Sequence, residues 1–76
     1  MESVSSNEYV VIYEQTPTGY SAYVPDLPGC ITTGATLADT KRNMQEAIRG
    51  HLATMREFGD PIPQPTTTAE PMRIPA

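Results

Sequence analysis

At 76 residues the chain holds one domain, whose core can supply only roughly 3–5 kcal/mol of stability, and its single cysteine, Cys30, rules out a disulfide framework. Nine acidic residues against five basic ones give a net charge of −4 and a pI of about 4.6, which disfavours direct DNA or RNA binding by this chain alone and leaves two readings, attraction to a basic partner or plain solubility. No run approaches the 18 or so apolar residues of a membrane span, and the polar stretch from Met1 to Asn7 has no apolar signal-peptide core, so a cytoplasmic protein is expected.

Residues 1–7 read as a flexible lead-in. Glu8-Tyr-Val-Val-Ile-Tyr-Glu14 is a β-branched and aromatic run, and Tyr20-Ser-Ala-Tyr-Val24 is a second one. Thr16-Pro-Thr-Gly19 between them places Pro and Gly for a turn, so the two runs form an antiparallel hairpin. Pro25, Pro28 and Gly29 then impose an ordered loop. Cys30-Ile-Thr-Thr33 is a short third strand, closed by Gly34. Cys30 has no histidine or second cysteine near it in sequence and is read as a small hydrophobe rather than a reactive thiol.

The helix is expected over Leu37 to Phe58. Thr36 is a good N-cap, and Asp39 three positions later varies the capping box and suits the positive end of the helix dipole. Leu37, Met44, Ile48, Leu52 and Met55 fall on one stripe, with Ala47 and Phe58 at its margin and Asp39, Arg42, Glu46, Arg49, Ala53 and Glu57 on or near the opposite side. Gly59 suits the C-cap, and Pro61 and Pro63 prevent continuation. The proline-rich tail, residues 61–76, is expected to carry a short strand near Met72 to Ile74, at an edge or in an exchanged segment because proline cannot donate to a ladder; a tail without structure is the alternative.

The expected fold is α+β: a two-layer β-β-β-α-(β) arrangement, with one helix on one face of a three-stranded antiparallel sheet. One helix covers one face, yet both alternation sets of the first strand are apolar, Val10 and Ile12 on one side and Tyr9, Val11 and Tyr13 on the other. A solvated face normally reads polar, so the second face is expected to pack on another subunit or on the tail. Tyr9, Val11, Tyr13, Met72 and Ile74 are the candidates for that interface.

The stretch Tyr20-Ser-Ala-Tyr-Val-Pro-Asp-Leu-Pro-Gly-Cys30 resembles the second strand and following loop of HicB-like antitoxins, with their V-P-D-L-P-G-C segment. Thr33-Gly-Ala-Thr-Leu37 looks like that family's entry to the helix, Asn43, Glu46, Ala47 and Ile48 match its N…EAI stretch, and Gly59-Asp-Pro-Ile-Pro-Gln-Pro65 looks like its exit. The resemblance covers residues 8–76. It implies a reduced ribonuclease-H-like fold without catalytic machinery, a partner that is a small basic HicA-type toxin cleaving messenger RNA, and assembly into dimers or tetramers. Many members also carry a C-terminal DNA-binding domain. This sequence ends at Ala76 with no room for one, so autorepression by this chain alone is not expected. Thr40 stands where the family often has alanine, at the margin of the stripe, where a hydroxyl is tolerable.

Pro25 and Pro28 stiffen the loop and lower the entropy lost on ordering it. Asp26 can accept loop amides, and Gly29 permits a positive φ. Glu14, Asp26 and Leu27 are the candidate partner contacts; the competing reading of the loop is a structural corner between strands. No catalytic residue, metal ligand or cofactor is expected. His51, the sole histidine, lies about 60° off the centre of the helix stripe, as a half-buried packing residue would. There is no Cys/His cluster with ligand spacing, and a residual nuclease built on Asp26, Asp39 and Glu46 is disfavoured because the latter two face outward. The leading function is an inhibitor that covers a basic ribonuclease; a stand-alone oligomeric binding module is the alternative.

Overall fold

The structure, a computed structural model, describes residues 8–75; the expected flexible segment 1–7 lies outside them. Three strands, β1 (Ile12–Thr16), β2 (Gly19–Tyr23) and β3 (Ile31–Gly34), are followed by one helix, α1 (Leu37–Glu57). The strands form an antiparallel sheet in the order β1-β2-β3. β1 and β2 meet through Pro17-Thr18, with Thr16 opposite Gly19 and Ile12 opposite Tyr23. The hairpin, the third strand and the helix lie where the sequence puts them, although β1 starts at Ile12 rather than Glu8. The strand expected near Met72 to Ile74 does not form in the single chain: residues 60–75 carry no regular element. Five prolines in this tail withhold ladder donors.

Residues opposite each other in an antiparallel pair share a face. Tyr13, Ala22 and Thr32 therefore lie on one face, and Ile12, Tyr23 and Ile31 on the other. Ala22, Val24, Leu27, Cys30 and Met44 form the buried core, and Tyr9, Val11, Tyr13, Ala47, Ile48 and Leu52 pack against it. This corrects the expected sense of the alternation. Tyr9, Val11 and Tyr13 belong to the face under the helix, so they are not the residues of an open second face. The reason is register: Tyr13 pairs with the buried Ala22, and a period of two then commits the whole strand.

The helix starts where its chemistry dictates. Thr36 is extended at φ −127° and ψ 165°, and its Oγ1 accepts the Asp39 N–H at 3.0 Å. Asp39 pairs in turn with Arg42 on the exposed side. At the far end, Gly59 N–H donates to the Arg56 carbonyl at 3.1 Å and Asp60 N–H to the Met55 carbonyl at 2.8 Å, the two bonds of a Schellman stop. Phe58 is the C-cap and is 74% exposed, outside the apolar stripe. Met55 lies half-buried within the stripe.

Thr40 is not marginal. It is fully buried, and its hydroxyl donates to the Thr36 carbonyl at 2.7 Å, which satisfies the polar atom that burial would otherwise strand. Its backbone sits directly on Gly34: a Cβ built there would lie 2.7 Å from the Thr40 nitrogen and 2.9 Å from its Cα. The helix approaches the sheet this closely because Gly34 has no side chain. Asn43 Nδ2 donates to the Thr33 carbonyl at 2.8 Å and adds a second tie between α1 and β3.

Two glycine substitutions should therefore act in opposite directions. Gly34→Ala is expected to lower unfolding stability by about 1–3 kcal/mol through overpacking. Gly50→Ala, whose new methyl meets nothing within 4 Å, is expected to raise it by about 0.5–1 kcal/mol through helix propensity. Urea titration followed by circular dichroism checks both; equal effects would contradict the packing described.

Candidate functional site

The loop between β2 and β3 is a compact double turn. Val24 N–H donates to the Cys30 carbonyl at 3.2 Å and closes it; Leu27 N–H donates to the Val24 carbonyl at 3.0 Å, and Cys30 N–H to the Leu27 carbonyl at 3.0 Å. Pro28 and Gly29, with φ +85° at Gly29, occupy the central positions of the second turn as a type II turn requires. This geometry drives Leu27 inward, where it is fully buried. Leu27 is therefore a core plug and not a displayed contact. Cys30 is also buried, and burial pushes its thiol pKa up, as fits a small hydrophobe rather than a nucleophile.

Asp26 faces outward but is engaged. One carboxylate oxygen accepts the N–H groups of Thr66 at 2.9 Å and Thr67 at 3.0 Å. The other accepts their hydroxyls at 3.1 Å and 2.8 Å. The Thr67 amide and hydroxyl do most to hold the Asp26 carboxyl below its ordinary value of 3.8, and those of Thr66 add to it, against a desolvation effect in the opposite direction. Tyr9 supplies a second anchor, its hydroxyl donating to the Pro63 carbonyl at 2.6 Å. Loop and tail are thus one assembly: the tail is strapped along the helix-bearing side at Pro63 and at Thr66-Thr67. Sequence reasoning missed this latch. Asp26 was legible as an acceptor, but its donors lie about 40 positions away, with no periodic signal to mark them.

The outer face of the sheet has a simple composition. Ile12, Tyr23 and Ile31 stand side by side in one row across the three strands, and Glu14, Ser21 and Thr33 form the next row. Tyr23 is 41% exposed and Ile31 70%. Ser21, Tyr23, Ile31 and Thr33 line a shallow depression of about 380 Å³. Glu14 is the only charged residue among the strands, because all five cations of the chain lie on α1 or in the tail. Of the three candidate partner contacts, Glu14 alone stands on this open face. A second groove, of about 420 Å³, runs between β3 and α1 and includes Ile31, Glu46, Gly50 and the half-buried His51. Among the described residues, no three His, Cys, Asp or Glu side chains are grouped to hold a metal ion, and no helix is long and apolar enough to cross a membrane.

The latch has a definite pH dependence. Because the folded-state pKa of Asp26 is lowered from its ordinary value of 3.8, the stability it contributes is fully present above that ordinary value and is lost as pH falls through the lower folded value. Amide exchange at Thr66 and Thr67 should show protection that is flat between about pH 5 and 7, above that value, and absent in Asp26→Ala. Undiminished protection in that variant would show that other contacts hold the tail.

A family model described as the HicB_like antitoxin of bacterial toxin-antitoxin systems matches residues 9–76. A 14.9 kDa protein of the rep-hol intergenic region of Haemophilus phage HP1 is 38% identical over 56 residues, 74% of this chain and 42% of that protein, so this chain spans less than half of that relative. A UPF0150 protein of Thermoplasma acidophilum is 36% identical over 58 residues, 75% of this chain and 84% of that protein. Among solved structures, a chain of a HicA3 and HicB3 toxin-antitoxin complex superposes with a TM-score of 0.69 at 33% identity, over 79% of this chain and 70% of that one. By its sequence motifs, its fold and these matches, the chain belongs to the HicB-like antitoxin family of bacterial toxin-antitoxin systems.

Proposed function

We propose that this chain is an antitoxin that binds a small basic HicA-type toxin and silences it by steric cover. The observation that carries the reading is the structural match to a chain of a HicA3–HicB3 complex over 79% of this sequence, together with the family match over residues 9–76. Inhibition by cover needs affinity and shape, with no chemistry of its own. The surplus of acidic over basic residues favours encounter with a cationic partner. Glu14, on the open face of the sheet, is the candidate contact that remains, since Asp26 and Leu27 are engaged within the fold.

The test is direct. A HicA-type toxin encoded beside this chain, with HicA3 as a stand-in, is assayed for RNA cleavage with increasing amounts of the purified chain. Cleavage should stop near stoichiometric addition, and the affinity should fall as salt rises from about 0.05 to 0.5 M, because screening weakens attraction between opposite charges. Cleavage that persists in excess antitoxin would contradict the reading.

A further inference from the structure

β3 is an edge strand, and part of its edge is open. The register that pairs Tyr23 with Ile31 puts Val24 opposite Cys30, and the Val24 N–H donates to the Cys30 carbonyl. Bonded and unbonded pairs alternate along an antiparallel ladder. Ala22 and Thr32 therefore bond to each other, whereas Ile31 and Thr33 turn their N–H and C=O groups away from β2. The Asn43 side chain takes the Thr33 carbonyl. The Ile31 N–H, the Ile31 carbonyl and the Thr33 N–H find no partner among the described residues. Beside them lies the groove of about 420 Å³ between β3 and α1, bordered by Ile31, Glu46, Ala47, Gly50, His51 and Met55. Gly50 leaves it roomy, since a Cβ built there meets nothing within 4 Å.

We propose that an extended segment of the toxin adds to this edge as a fourth strand. Its backbone pairs with Ile31 and Thr33, an apolar side chain rests in the groove over Gly50, and a Lys or Arg meets Glu46. The inference rests on the toxin reading and adds to it the place and manner of contact.

Three observations select this occupant. First, outward backbone groups that a partner covers need hydrogen bonds in exchange for water. An extended chain supplies donors and acceptors at the strand's own repeat, whereas a helix spends its own internally. Second, β3 carries none of the features that keep an edge from being paired. Cys30-Ile-Thr-Thr33 has no charge and no proline, and Ile31 is 70% exposed. Third, Glu46 is the one fully charged residue bordering the groove among the described residues, and Lys41, Arg42, Arg49 and Arg56 of α1 line no part of it. The groove therefore suits a cationic segment, in keeping with the net charge of −4. The β3 strand of a second copy would bring no cation to Glu46.

Calorimetric titration of the full chain with HicA3 tests the site. The wild-type chain should bind. Gly50→Leu fills the groove, and leucine suits a helix better than glycine, so stability in urea should hold or rise while toxin affinity falls by about tenfold or more. Glu46→Lys should weaken binding. Glu57→Lys, the same charge change at an exposed helix position outside the groove, should weaken it much less. The amides of Ile31 and Thr33 should gain protection from hydrogen exchange in the complex. A wild-type chain that does not bind the toxin removes this inference and the toxin reading together. Full affinity in Gly50→Leu and Glu46→Lys overturns this inference alone and leaves the toxin reading standing. So does a Gly50→Leu chain that loses self-association but keeps its toxin affinity, which would put a second copy in the groove.

Discussion

The contact between the first turn of α1 and Gly34 sets the distance from which the rest of the molecule follows. With no side chain at position 34, the Thr40 backbone rests on the end of β3. The helix then lies low over β2 and β3, and Met44, Ala47, Ile48 and Leu52 meet Ala22, Val24 and Cys30 in one core. Thr40 can be threonine there because its hydroxyl bonds to the Thr36 carbonyl. A helix seated in this way shields one sheet face. The other face keeps its apolar row, with Tyr23 and Ile31 exposed in the single chain.

The loop and tail complete the covered side rather than opening a new site. Leu27 plugs the core from the β2–β3 connection, while Asp26, one position earlier, turns outward and holds Thr66 and Thr67. Two adjacent residues thus send their side chains in opposite directions with different tasks. Tyr9 joins the same assembly through Pro63. The tail therefore leaves the domain from a fixed point, which decides where its exposed end can go.

Local chemistry made much of this legible in the sequence. Thr36, Asp39 and the 3.6-residue stripe mark the helix, and Thr16-Pro-Thr-Gly19 marks the hairpin; these depend on neighbours within a few positions. The motif from Val24 to Cys30 pointed to the family. Three things were not legible. Which face of the first strand is covered could not be read, because both of its alternation sets are apolar and the pairing of Tyr13 with Ala22 decides the matter. The inward turn of Leu27 and the Asp26 latch depend on partners brought together only by folding. Thr40 looked marginal because a helical wheel records angle and not the absent side chain of Gly34 opposite it.

The central claim is that β3 around Ile31 is a surface for another polypeptide, the toxin. Ile31 and Phe58 offer an internal comparison, since they are 70% and 74% exposed in the single chain. Attenuation of their side-chain NMR signals by a dissolved paramagnetic agent measures which one water reaches in the complex with the toxin. The account predicts strong attenuation at Phe58 and marked protection at Ile31; equal attenuation of the two would contradict it.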